Sequence, residues 1–287
     1  MPELPLRGNE VRQLGLPLPP ARLPAWRGGR PLKRWRYVGV YTPELMLCVG
    51  DARVGPVPQR WWAVALPGGE LRERTTFGKG GLAIDGSTVR VAAKGVRIDL
   101  RLEESPGVEV VSPVNERGAY IWTCKQACVP VTGSVEIDGT RHAIDGDAGF
   151  IDDSAGYHQR HTTWNWSAGV GVAADGRRVG WNLVDGINDD PFTSERTVWV
   201  DGEPQAVGPV SFAEDLSEIA SAPASGAAGR GGGLLRFSEW SSREHSTNAL
   251  VMRSSYRQPL GTFAGTLPGG LQLAEGFGVM EQHDVHW

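Results

Sequence analysis

The 287 residues are 40% hydrophobic and 22% charged, which gives material for a sizeable core and excludes a disordered chain. A formal net charge of −4 leaves no basic stripe for nucleic acid or an anionic membrane. Cys48, Cys124 and Cys128 are too few for a disulfide framework and fit a reducing compartment.

Residues 1–36 carry seven prolines and no clear periodicity, and read as an extended N-terminal arm. No apolar run there resembles a secretory signal, and no stretch approaches the roughly 18 apolar residues of a transmembrane helix. The expectation is a cytoplasmic protein with no stable membrane insertion. Tyr37–Tyr41, Leu45–Val49 and Gln59–Leu66 read as strands. Trp61 and Trp62 are adjacent, so they point to opposite faces, which suggests a strand covered on each side or an indole at a rim. Cys124 and Cys128 lack zinc-ribbon spacing and read as buried thiols. Asp-Gly recurs six times, several times between alternating segments such as Gly133–Ile137 and Thr140–Ile144. Such turn density predicts an all-β, antiparallel meander, closed or nearly closed. Phe212–Ile219 offers one or two helical turns at most, and the Ala/Ser/Gly-rich tract from Ala220 to Gly233 reads as a loop. Its Gly-rich part lacks the lysine and the strand–helix flanks of a phosphate-binding loop.

The densest chemistry lies in 149–188. From Arg160 the chain alternates, which puts Thr162, Trp164, Trp166, Ala168 and Val170 on one face and His161, Thr163, Asn165 and Ser167 on the other. Asp175-Gly176 predicts a two-residue hairpin. That register sets Val170 against Trp181 and Trp166 against Asp185, which brings an acid among the tryptophans. The bland reading is that Asp185 opens a turn with Gly186 and the indoles fill a core. Asp152 and Asp153 are adjacent, so only one serves a shared site. At the C-terminus, Val279, Glu281 and His283 share a face of a last strand that ends in His286-Trp287.

Asp152-x-x-x-Gly156-x-x-x-Arg160-x-Thr162-x-Trp164-x-Trp166 resembles a motif of an uncharacterised bacterial family catalogued as domain of unknown function 2804. Cys124–Gly133, Gly180–Gly186, Gly261–Gly265 and Gly278–Trp287 support the resemblance, which runs from about Tyr37 onward. Members often carry an aromatic after the motif aspartate, where this chain has Asp153-Ser154; Asp152 holds the matching position. More distantly the family is similar to calycin-type proteins related to carotenoid 1,2-hydratase and the tocopherol cyclases. The resemblance implies two lipocalin-like β-barrel or half-barrel domains packed together. We place them at 37–148 and 149–287, with the site on the second.

Two functions follow as expectations. The first is a binding protein for an apolar small molecule (an isoprenoid, lipid or pigment) in a tryptophan-lined β-barrel pocket. The alternative is a cofactor-independent hydratase, cyclase or isomerase acting on an alkene by general-acid catalysis. Asp152, Asp185 and Arg160 are the candidate catalytic residues. Trp164, Trp166, Trp181, Tyr157, His161, Asn182, Glu281 and His283 are the candidate ligand contacts. A metal reading through His158, His161, Glu281, His283 and His286 is weaker, because His158 and His161 fall on opposite faces of an extended segment. No metal or cofactor is expected.

Overall fold

The computed structural model describes residues 4–78, 80–222, 232–249 and 252–287. Two antiparallel sheets make up the chain. The first has the order 71–76, 57–65, 46–54, 33–41, 140–156, 120–137, 96–102, 88–93, 82–85. Strand Val108–Pro113 adds to the free half of Tyr120–Ile137, and Leu6–Arg7 pairs with it in turn. The second sheet has the order 203–206, 197–200, 178–185, 161–173, 272–286, 252–266, 233–249, 218–221, 210–212.

Both sheets curl. In the first, Leu82, Val89 and Val91 from one end of the strand order share a core with Val49, Trp62 and Val64 from the other. In the second, Val198 and Val200 share a core with Val210 and Ile219. These are the two lipocalin-like half-barrels. A third core fills the seam where they press together: Tyr37, Tyr41, Cys48 and Phe150 from the first sheet meet Trp166, Val170, Trp199 and Phe277 from the second. The arm packs over the first sheet, where the 3-10 stretch Gly8–Leu14 buries Val11 and Leu14 against Tyr120, Trp122 and Tyr157.

Strands at the seam are buried on both faces, and their sequences show it. Val38 and Val40 point into the first half-barrel while Tyr37 and Tyr41 point into the seam. Trp62 and Trp61 divide in the same way, as their adjacency requires.

Three expectations change. The 148/149 boundary falls inside strand Thr140–Gly156, and the chain crosses to the second sheet between Gly156 and His161. Cys124 and Cys128 are half-buried rather than buried, and Cys128, with φ 55°, occupies a bulge between Ala127 and Val129. Within Phe212–Ile219, residues 213–217 form a tight turn between strands Val210–Phe212 and Glu218–Ser221, with no helical turn of the kind expected. The middle of the Ala220–Gly233 tract, 223–231, lies outside the described residues. No described helix is long and apolar enough to cross a membrane.

The hairpin after strand His161–Ala173 decides which side chains meet. Ala173 N–H donates to Arg177 O at 2.8 Å and Gly176 N–H to Ala173 O at 2.9 Å, so the loop has three residues. Only Gly176 takes a positive φ, +86°; Asp175 does not, and its carboxylate accepts the Arg177 N–H at 3.2 Å instead. This is the three-residue loop with a glycine bulge. The register moves by one: Asp185 opposes Asn165, Val184 opposes Trp166, and Trp181 opposes Gly169. A one-residue slip exchanges the faces. Trp181 therefore enters the second half-barrel, fully buried, with its N–H on Ser167 Oγ at 3.0 Å. A Cβ on Gly169 would lie 2.1 Å from the Trp181 ring and 2.6 Å from Phe277 O. Gly169→Ala is therefore expected to destabilise the protein by about 1–3 kcal/mol through overpacking, read as a lower urea midpoint. An unchanged midpoint would place Trp181 elsewhere.

Candidate functional site

A cleft of about 170 Å³ opens along the seam. Strand Lys33–Tyr41 contributes Trp35 and Tyr37, Val57–Ala65 contributes Trp61, and the paired 120–137 and 140–156 strands contribute Lys125 and Asp152. From the second sheet come Trp164, Trp166, Tyr256, Glu281, His283 and the ring of Trp287. Both half-barrels therefore build the site. It lies between them rather than inside one barrel, and the second domain does not carry it alone.

Alternation explains each placement. Trp164 pairs with His283 and Trp166 with Glu281 across neighbouring strands, so the two indoles and the two polar groups share the seam face. Trp164 Nε1–H donates to Glu281 Oε1 at 2.8 Å. Tyr256 Oη–H and Gln258 Nε2–H donate to Glu281 Oε2 at 3.0 and 2.9 Å. These three donors use most of the carboxylate's acceptor positions and leave room for a proton on Oε1. Glu281 is 8% exposed. Burial pushes its pKa up to about 7, with Asp152 adding to the rise, against the lowering effect of the Trp164 and Tyr256 hydrogen bonds. Behind it runs a polar chain: Gln258 Oε1 accepts from Arg243 at 3.3 Å, and Arg243 pairs with Glu73 of the first sheet at 2.9 Å. His283 is held down to about 4 by burial, and its Nε2 lies 2.8 Å from Ser254 Oγ.

A second carboxyl system lies on the first-sheet side of the cleft, where Lys125 and Asp152 meet Glu195 from the loop between second-sheet strands 178–185 and 197–200. Lys125 Nζ is ion-paired with Asp152 and lies 3.4 Å from Glu195, and all three are buried. Burial opposes the ammonium charge, yet the two carboxylates outweigh it and raise the Lys125 pKa. Burial raises Glu195, against the pull of Lys125. One ammonium cannot fully neutralise two carboxylates, and the more distant acid bears the deficit. Asp152 Oδ2 also accepts from Trp35 Nε1 at 3.4 Å. Asp153 points to the other face and pairs with Arg36 at 2.6 Å.

Of the candidates named from sequence, the cleft gathers Asp152, Trp164, Trp166, Glu281 and His283. Asn182 stands behind the wall, accepting Trp166 Nε1–H at 2.8 Å and donating to Glu195 O at 2.9 Å. Five others are corrected. The hairpin register turns Asp185 and Trp181 away from the seam. Asp185 is half-buried at a turn whose Gly186 N–H donates to Asp189. Arg160 lies before the strand, exposed, its carbonyl accepting the Trp287 N–H. Tyr157 is buried under the arm with its hydroxyl on Pro24 O at 2.8 Å. His161 is exposed on the outer face, 2.8 Å from Asp284. Nor do the five residues of the metal reading converge: His158 lies beside Trp35, and Glu281 and His283 face the cleft.

Sequence reasoning missed Lys125, Glu195, Arg243, Tyr256 and the cleft indoles Trp35 and Trp61. Lys125 left a trace, being a cation on the face that also carries Ile121 and Thr123, both buried. Glu195 left none, because it sits in an irregular loop. That loop is held in place when Arg7 donates to Ser194 O and Thr197 Oγ1, and Arg196 to Asp189 O and Asp190 O.

Glu281 has a consequence for stability. The native carboxyl keeps its proton up to about 7, whereas an ordinary one loses it near 4.5. Between those values the native state binds more protons, so stability falls as pH rises. Relative to Glu281→Gln, the wild type is expected to lose on the order of 3 kcal/mol between pH 4.5 and 7, measured by denaturant unfolding. Parallel pH profiles for the two proteins would mean that the carboxyl ionises normally in the fold.

A protein provisionally assigned as AttH from Nitrosomonas europaea superposes with a TM-score of 0.52 at 12% identity, covering 94% of this chain and 98% of its own. Kievitone hydratase from Nectria haematococca gives 0.47 at 10% identity, covering 89% and 88%. CghA gives 0.42 at 12% identity, covering 98% and 97%. No curated protein matches the sequence. The family model for domain of unknown function 2804 matches residues 72–287, and the chain belongs to that family.

Proposed function

We propose that the protein is an enzyme that binds an apolar small molecule in the seam cleft and transfers a proton to or from it, as in hydration, cyclisation or isomerisation of an alkene. The observation that carries this reading is Glu281, a buried carboxyl on an indole-lined wall with its pKa raised to about 7. A general acid works best with a pKa near the operating pH. A receptor for an apolar ligand has no need of one.

The residues divide the work as follows. Neutral Glu281 gives its proton to one alkene carbon, and positive charge develops on the other. The faces of Trp164 and Trp166, with Trp35 opposite, stabilise that charge. In hydration a water oxygen attacks the cation and its proton passes to Asp152 or Glu195. In isomerisation or cyclisation the same carboxylates take a proton from carbon. Lys125 keeps that pair together, so the base does not drift from the wall. Trp61 and Trp287 line the cleft with buried indole N–H groups that have no acceptor among the described residues, which suits a ligand with an oxygen on its apolar body. The volume of about 170 Å³ is below the roughly 300–1,000 Å³ common for drug-sized ligands, so the cleft takes a compact molecule or one end of a longer one.

Binding without turnover is the second reading, supported by the same orphaned indole donors. The two separate in heavy water. Alkenes that quench tryptophan fluorescence would be incubated with the enzyme and examined for deuterium on carbon by mass spectrometry. Exchange or hydration is expected, reduced about 10²–10⁴-fold in Glu281→Gln with quenching retained. Quenching with no deuterium uptake, or uptake undiminished in Glu281→Gln, contradicts the catalytic reading.

A further inference from the structure

On the outer face of the second sheet, away from the cleft, we infer that His161, Asp284 and His286 form a binding site for a divalent transition metal. His161 and His286 are directly opposed on neighbouring antiparallel strands, and their rings stack at 3.8 Å with 12° between planes. Asp284 is two residues before His286, on the same face, and its Oδ1 lies 2.8 Å from His161 Nε2. One donor atom from each of the three lies within 4.8 Å of the others. A zinc–nitrogen bond of about 2.0–2.1 Å requires the donors to close to about 3.3 Å, which χ rotation of exposed side chains allows.

The donor set indicates the ligand. Two imidazoles and one carboxylate on one face, open to solvent on the other side, suit Zn²⁺, Ni²⁺ or Cu²⁺, with water in the remaining positions. They do not suit Mg²⁺ or Ca²⁺, which take oxygen ligands. Arg253 faces His286 from the next strand and is exposed, so its charge opposes the ion and moderates affinity.

The site also lies at a useful place. His286 immediately precedes Trp287, whose N–H donates to Arg160 O at 2.8 Å and whose ring lines the cleft. A metal joining His286 to His161 would clasp the last strand to its neighbour where Trp287 is delivered.

The test is isothermal titration of Zn²⁺, and separately Ni²⁺, into the full-length protein after treatment with EDTA. A single saturable site is expected, weakened at least tenfold in each of His161→Gln, His286→Gln and Asp284→Asn and unchanged in His245→Gln, which alters an exposed histidine elsewhere. Arg253→Ser is expected to tighten it, and Mg²⁺ to give no saturable heat. All three ligand positions are exposed, so these substitutions leave the cores intact. Absence of saturable Zn²⁺ and Ni²⁺ binding, or wild-type affinity in both His161→Gln and His286→Gln, overturns the assignment.

Discussion

Two curled sheets laid against each other bury the outer faces of their middle strands, and whatever polar groups those faces carry must be neutralised inside the protein. Here the seam holds three carboxyls, Asp152, Glu195 and Glu281, each less than a tenth exposed. An isolated buried carboxylate is costly enough to protonate instead. The seam meets that cost in two ways. Asp152 and Glu195 share the ammonium of Lys125. Glu281 has hydrogen-bond donors and, among the described residues, no ion-paired cation, and burial raises its pKa.

That difference gives the two walls distinct characters. On one side Asp152 of the first sheet and Glu195 of a second-sheet loop gather around one ammonium; on the other, the second-sheet wall keeps an acid that exchanges its proton near neutrality. Indoles line the cleft between them. Environments that drive titratable groups apart mark acid and base roles, and the proposed chemistry rests on that separation. The polar chain from Glu281 through Gln258 and Arg243 to Glu73 crosses between sheets, so the orientation of the acid depends on how the half-barrels sit together.

Alternation made much of this legible. It set Trp164 and Trp166 on one face, set Glu281 with His283, and divided Trp61 from Trp62. Asp-Gly density and the motif around Asp152 gave the all-β class and the family. Two of the misplaced candidates trace to a single turn. Asp138-Gly139 and Asp201-Gly202 take the two-residue form, with positive φ at both positions. Asp175-Gly176 does not, since Asp175 keeps an ordinary φ and bonds to Arg177, and that one residue moved Asp185 and Trp181 to the far face. Glu195 and Trp35 were invisible for another reason. They reach the cleft through packing between distant segments, and no local period records that. His161 and His286 likewise meet only because their strands pair.

The proposed proton transfer depends most on the ionisation of Glu281. A carbon NMR titration of protein labelled at glutamate carboxyls, with the Glu281 signal assigned by its loss in Glu281→Gln, measures it directly. The structure predicts a midpoint near pH 7. A midpoint near the ordinary 4.5 would mean that water reaches the carboxylate freely, and the seam would then hold no acid suited to the proposed proton transfer.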